Sequence, residues 1–400
     1  MIDIFQEKTQ KIIDNYYLVT YLLESKTNLK DAAWALAIGQ SVGNPNYRSE
    51  YETDELFENH SCLILENPEV LERSVTGEIT IAFPEKNINF KEDGVASLLV
   101  QIMGGQCDID IIKKCVVKDV QFTKSMFDFF KLPYFGLSGM RLLGGIPKNQ
   151  VIFGGIIKPK VGLSPENHLD LVKKFIDNGC NFIKEDEILC NQSFSPIGKR
   201  VELVANYIRN TNSKVFYCAS IQADPHKTLE YTKIVYNSGG NGIHVNFHCG
   251  MGIYKSIREM NLPILMHFQK SGDKILNYEK HNYSIDELVL FKIAALSGCD
   301  TLHVGMIGGY MDNDTIKLKK IISYLNSINA VPALSCGMHA GLIDYITNII
   351  GHTNWMANVG GAITSHPMGT AAGVKAIKQA ITKDYQKEYQ FSIAKLGLKK

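Results

Sequence analysis

Hydrophobic and polar positions divide the chain into two rhythms. Up to about residue 135, strand-like stretches alternate with helical ones. Tyr16–Leu23 (YYLVTYLL) is aromatic and β-branched and reads as a strand, and Asn28 reads as the cap of a helix over LKDAAWALAIGQ. Gly77–Phe83 (GEITIAF) is a second strand, stopped by Pro84. Asp93 opens a helix, GVASLLVQIMGG, that ends in glycines, and VVKDVQF is a third strand. The pattern predicts a small α+β (ferredoxin-like) unit around an antiparallel sheet. Residues 133–150 are rich in Gly and Pro and read as a link.

From residue 151 the rhythm changes. Short apolar runs recur at Val151–Ile157, Asn181–Lys184, Val215–Ala219, Gly242–Asn246, Pro263–His267, Thr301–Val304, Val331–Ser335 and Trp355–Val359. Helical segments such as PENHLDLVKKFIDNG, DELVLFKIAALSG and DTIKLKKIISYLNS separate most of them. The runs recur roughly every 29 residues, the length of a βα unit. Short buried strands alternating with helices imply parallel pairing and right-handed crossovers. Eight units point to a closed (β/α)₈ TIM barrel rather than an open doubly wound sheet. The expected organisation is an α+β domain over 1–135 and a barrel over 136–400.

Composition narrows the class. The 42 Lys+Arg balance 41 Asp+Glu, which lowers the prospects of a nucleic-acid binder. No apolar run approaches the roughly 20 residues of a membrane span, and MIDIFQEKTQ has no apolar signal-peptide core. The nine cysteines are scattered with no C-x-x-C, so free thiols in a reducing cytoplasm are expected. Residues 1–12 form a charged extension without an assigned role, and the KLGLKK terminus reads as a solvated tail.

In TIM barrels chemistry gathers at the C-terminal ends of the strands. Here those ends carry Lys158 and Lys160, then Lys184, Asp186 and Glu187, then His267, His303, Ser335 with Gly337, and Gly360-Gly361. Asp and Glu are hard oxygen ligands suited to Mg²⁺. A buried lysine can become neutral and react, while lysines beside a strand end can donate to a phosphate or enolate oxygen. Bare backbone N–H groups at the glycines suit a phosphate. Taken alone, each position has a bland alternative: a charged turn, surface lysines, core or loop histidines, tight βα turns.

The stretch GIIKPKVGLSPENHLDLVKKFIDNGCNFIKEDE (155–187) resembles the large subunit of ribulose bisphosphate carboxylase (RuBisCO), and still more its non-carboxylating RuBisCO-like relatives. MH at His267, SGCDTLHVG around His303, PALSCG at Ser335 and NVGGAITSHPMGTAAG at 358–373 follow in the same order. The resemblance covers nearly the whole chain. It implies that CO₂ converts Lys184 to a carbamate, which with Asp186 and Glu187 holds Mg²⁺. It implies that Lys158 handles the proton during enolisation, with the Lys184 carbamate as the other possible base. Lys160 would support the metal and substrate side. His267 and His303 would lie near substrate hydroxyls, and Ser335, Gly337, Gly360 and Gly361 on the phosphate side. It also implies a homodimer, or a higher even-numbered homo-oligomer; no small subunit is expected, and the charge balance and short apolar runs leave no nucleic-acid or membrane partner expected.

The departures share a direction. An arginine expected after His267 to grip a second phosphate is Phe268, which has no hydrogen bond to donate. A loop lysine that helps the carboxylated intermediate falls at Tyr310, in GMIGGYMD. In the N-terminal domain the usual polar residues fall at Gly39, Asn44, Pro45 and Gly105, and position 336 is Cys instead of Gly. The reading is a Mg²⁺-dependent enolase-type tautomerase or isomerase of a monophosphorylated ketose, such as a methylthioribulose-type phosphate, and not a carboxylase. A decarboxylase or transcarboxylase of an oxidised sugar-acid phosphate is the alternative. A non-catalytic binding protein is the rival from another class.

Overall fold

The computed structural model describes residues 4–311 and 313–399. Residues 1–3 of the N-terminal extension, Asp312 of GMIGGYMD and the terminal Lys400 lie outside the described residues. Thirteen strands run in chain order: β1 (Tyr16–Ser25), β2 (Leu63–Ile64), β3 (Thr76–Pro84), β4 (Ile112–Gln121), β5 (Ile152–Ile156), β6 (Phe182–Lys184), β7 (Phe216–Ser220), β8 (Gly242–Asn246), β9 (Leu265–Gln269), β10 (Tyr283–Ile285), β11 (Thr301–Gly305), β12 (Val331–Leu334) and β13 (Met356–Val359). They fall into two compact units, Met1–Phe130 with Gly272–Ile293, and Lys131–Ser271 with Ala294–Lys400.

The first unit is a five-stranded sheet in the order β10-β4-β1-β3-β2. β1 runs antiparallel to both β3 and β4 and buries Tyr17, Val19, Tyr21 and Leu23. Asn28 caps the helix Leu29–Gly39 as expected, its Oδ1 accepting from Asp31 N at 2.8 Å. Two expectations change. The sheet is mixed, because β10 joins β4 in parallel. YSI is too short, and too closely flanked by charged residues, to show a period of two. The helix expected to open at Asp93 begins at Phe90, capped by Asn89, and is broken at Gly94, whose φ of 65° suits a residue without a Cβ.

The second unit is a closed barrel in the order β11-β12-β13-β5-β6-β7-β8-β9, with every pairing parallel. All eight apolar runs are its strands. Buried on both faces, they read as continuous apolar segments. The helix Pro165–Ile176 shows how the turns work: Ser164 Oγ accepts from Asn167 N at 3.2 Å and Pro165 sits in the first turn.

Residues 133–150 are not a bare link. They hold the helix Gly136–Gly144, closed by Gly145 in the left-handed region. Its Met140 packs with Ile146 against Ile152, Phe182, Phe216, Leu265, Val331 and Met356. Those are starts or early residues of barrel strands, so this helix seals the barrel floor with apolar side chains. Its apolar stripe is short and interrupted by Gly, which hid it.

Candidate active site

The tetrapeptide at the end of β6 is sorted by the pleat. Successive residues of a strand face opposite sides, so Lys184 and Asp186 turn inward and Glu185 outward. Outside, Glu185 enters a fully buried network. Arg200 Nη2 donates to its Oε2 at 2.9 Å, Ser220 N at 2.7 Å, and the Tyr217 hydroxyl donates to its Oε1. His168 Nε2 lies 2.9 Å from the Tyr217 hydroxyl. Burial opposes ionisation of Glu185, but Arg200 leads the groups that hold its carboxyl below the usual range. This network anchors the strand end that presents Lys184 and Asp186.

Inside, two lysines meet two carboxylates. Lys158 Nζ pairs with Asp186 Oδ2, and Lys184 Nζ lies 3.4 Å from Glu187 Oε2. Lys184 also reaches Gln269 Oε1 at 3.3 Å. Ser271 Oγ donates to Glu187 Oε1 at 2.7 Å and receives Gln269 Nε2 at 2.5 Å. Lys184 is 2% exposed, and burial lowers its pKa against the opposing pull of Glu187 and Asp186. Burial works against the charge of Glu187 too, but Lys184 and the Ser271 hydroxyl outweigh it and hold the pKa at about 2. The result is a buried amine, its charge disfavoured by desolvation, flanked by two carboxyl groups.

These groups open on a cavity of about 540 Å³. Lys158, Lys160, Lys184, Asp186, Glu187, His303, Ser335, Gly337, Gly360 and Gly361 all line it, so strand ends separated by up to 200 residues are brought together. His267 does not line it. It lies within the barrel, with Nδ1 2.8 Å from Thr301 Oγ1 and its ring against Phe182 and His244. Phe268 points the other way, onto the Tyr254 ring at 5.3 Å. Tyr310 is on the rim, 82% exposed. Its loop is pressed on the loop after β12: a Cβ at Gly309 would lie 2.3 Å from Cys336 O, and one at Gly337 2.7 Å from Tyr310 N.

Several cavity and interior residues escaped the sequence reading. Gln269, Ser271, His339, Asn358 and Ser365 line the cavity. His244 is fully buried beside His267, and neither of its ring nitrogens makes a hydrogen bond. Burial is the first cause keeping His244, His267 and His303 uncharged, and it takes His303 down to about 3. The signal available was alternation: His244 is two residues before Asn246, and Gln269 two after His267.

A closed parallel barrel with a lysine–carboxylate site at the strand ends defines a class of TIM-barrel proteins. Residues 138–395 match the family described as ribulose bisphosphate carboxylase large chain, catalytic domain, and the chain belongs to that family. It is 26% identical over 390 residues to the ribulose bisphosphate carboxylase of Methanocaldococcus jannaschii, covering 91% of this chain and 90% of that protein. It is 28% identical over 399 residues to a 3-oxo-isoapionate-4-phosphate decarboxylase of Rhizobium etli, covering 90% and 91%. The octameric ribulose-1,5-bisphosphate carboxylase/oxygenase of Pyrococcus horikoshii OT3 superposes with a TM-score of 0.87 at 20% identity, covering 100% of both chains.

Proposed function

We propose that this protein is a Mg²⁺-dependent enzyme that enolises a monophosphorylated ketose and does not fix CO₂. The observation carrying this is the pairing of Lys158 with Asp186 and Lys184 with Glu187 in one cavity, while Phe268 turns away from it.

The residues fit the metal. The Nζ atoms of Lys158 and Lys184 already sit against Asp186 and Glu187, where a cation would be held. Among the described residues no group of three or more His, Cys, Asp and Glu is placed to hold a metal ion, so Asp186 and Glu187 by themselves would not complete such a site. Lys184, buried and with a lowered pKa, is suited to form a carbamate with CO₂ and supply a third anionic donor. Bound Mg²⁺ would act as a Lewis acid on the substrate carbonyl. Lys158, aimed into the cavity, or the Lys184 carbamate takes the proton from the carbon beside that carbonyl. His303, kept neutral, offers a hydrogen bond to a substrate oxygen. Backbone N–H groups at Gly337, Gly360 and Gly361, with Ser335, favour one phosphate, and Lys160 supports the metal and substrate side. Phe268 removes a second grip. An even-numbered homo-oligomer without a small subunit accompanies this reading.

The relative named as a sugar-acid phosphate decarboxylase supports a second reading. Loss of CO₂ from a β-keto acid leaves the same enolate, so the same site serves it.

One experiment separates them. The protein is incubated in D₂O with Mg²⁺, bicarbonate and a panel of ketose monophosphates, and NMR follows deuterium entering beside the carbonyl. Wash-in that disappears in Lys184→Ala supports enolisation. No wash-in, with CO₂ released from a keto-acid phosphate, transfers the assignment to decarboxylation. Neither reaction, with no binding of Mg²⁺ and bicarbonate, leaves a binding protein.

A further inference from the structure

A barrel interior is normally filled with branched apolar side chains. β13 breaks that rule at Asn358, which is 1% exposed and points into the barrel. Its Oδ1 lies where a Cβ at the facing Gly154 would come within 2.8 Å, so the glycine of β5 makes room for the amide. Neither Oδ1 nor Nδ2 has a hydrogen-bond partner. Native proteins rarely leave a buried carboxamide with both ends unpaired, because each unmet group retains its desolvation cost. A side chain kept for packing would be apolar here.

The position says what the amide meets. Asn358 lines the cavity. Two residues further on, a Cβ at Gly360 would come within 3.4 Å of Lys158 Cε. The amide therefore lies one pleat beneath the point where the Lys158 stem crosses toward Asp186. Gly360 also stands on the phosphate side, so the amide lies between that side and the lysine–carboxylate cluster. A carboxamide presents an acceptor oxygen and an NH₂ donor, and a hydroxyl can donate to the first while accepting from the second.

We infer that Asn358 is a substrate-reading residue, its carboxamide binding the C1 hydroxyl, which flanks the reacting carbonyl of a ketose 5-phosphate on the side away from the phosphate. The inference rests on the ketose monophosphate reading above. Discrimination follows from the geometry. A substrate lacking that hydroxyl leaves both amide ends buried and unmet, and so binds roughly ten- to a hundredfold more weakly. A hydrophobic residue in the same place loses that preference.

D-xylulose 5-phosphate and 1-deoxy-D-xylulose 5-phosphate differ by this one hydroxyl and serve as probes. Affinities are measured by calorimetry with Mg²⁺ and bicarbonate for the wild type, Asn358→Leu and Asn358→Ala. The wild type should prefer the hydroxylated sugar by ten- to a hundredfold, and Leu should bring the ratio near one by weakening that sugar alone. Ligand-free Asn358→Leu should melt at or above the wild-type temperature, which an amide with a structural role would not allow. If Leu does not fold, Ala carries both measurements. A ratio unchanged by substitution, with both sugars bound, overturns the inference, as does a fall of several degrees in the melting of both variants. Failure of the wild type to bind either sugar overturns the ketose monophosphate reading and this inference with it.

Discussion

The two ends of the barrel are built from the same strands and have opposite chemistry. At the floor, Ile152, Phe182, Phe216, Leu265, Val331 and Met356 close on Met140 and Ile146. At the mouth the same strands end in or lead to Lys158, Lys184, Gln269, Ser335 and Asn358. On β6 the change takes two residues, from buried Phe182 to buried Lys184. On β13 it takes two as well, from Met356 to Asn358. The floor satisfies itself by packing. The mouth carries buried polar atoms without partners, on His303 and Asn358, and so holds stability in reserve for a ligand.

The comparison breaks most sharply at Lys184. Lys184→Ala should lower turnover by roughly a thousandfold or more, since a Lewis acid at the carbonyl is worth several kcal/mol. The same variant should fold but melt below the wild type, because it removes a buried stem and leaves Glu187 without its partner. Parallel NMR wash-in and thermal melting read both halves. Loss of activity together with collapse of the fold would erase the contrast. Phe182→Ala, two residues away, should do the reverse and cost about 3–5 kcal/mol of stability through the cavity it leaves. Denaturant titration measures this, and wash-in at temperatures where the variant stays folded should persist.

A third test addresses the outer wall behind the site. His168 is buried neutral, with its pKa pushed down to about 4, chiefly by burial. The unfolded chain binds a proton here at about pH 6.5. Its folded pKa is depressed, so stability is fully present above 6.5 and is lost as pH falls from there to about 4. One proton contributes a slope of about 1.4 kcal/mol per pH unit in that window. Melting temperatures across pH 7 to 5 should fall less steeply, by one proton's share, in His168→Gln, which keeps a donor for Tyr217, while His244, His267 and His303 retain theirs. An unchanged slope would place the acid sensitivity elsewhere.

The same contrast explains what could be read from the chain. All eight barrel strands were legible because burial on both faces makes each a short apolar run bounded by turns. The floor helix Gly136–Gly144 was not, since Gly and Pro around it mask one apolar stripe. Nor was β10, whose three residues show no period. The mouth was legible where polar residues follow a strand directly, as at Lys158 and Asp186. It was hidden where a polar residue sits within an apolar strand, as at His244 and Asn358. Which of two alternating residues faces the axis is decided by closure of the whole barrel. Phe268 illustrates the same limit: its difference from arginine is visible in the sequence, but its turn onto Tyr254 is a property of the wall.

The smallest expected effect lies where the mouth tolerates strain. Cys336 has a φ of 81°, in the left-handed region that a Cβ disfavours. It stays there because its carbonyl oxygen packs on Gly309, within 2.3 Å of where a Cβ would be. In return its thiol reaches the cavity, 3.8 Å from both His303 Nε2 and Ser335 Oγ. Cys336→Gly removes a cost of about 1 kcal/mol in the folded state and adds a smaller entropy to the unfolded one. The half-buried thiol gives up little packing. The urea midpoint should therefore rise, by about 0.5 kcal/mol at constant m-value. A fall in the midpoint would mean that the contacts to His303 and Ser335 outweigh the backbone strain. The thiol would then count among the groups that hold the mouth together, and the division between a packed floor and a strained mouth would stop short of β12.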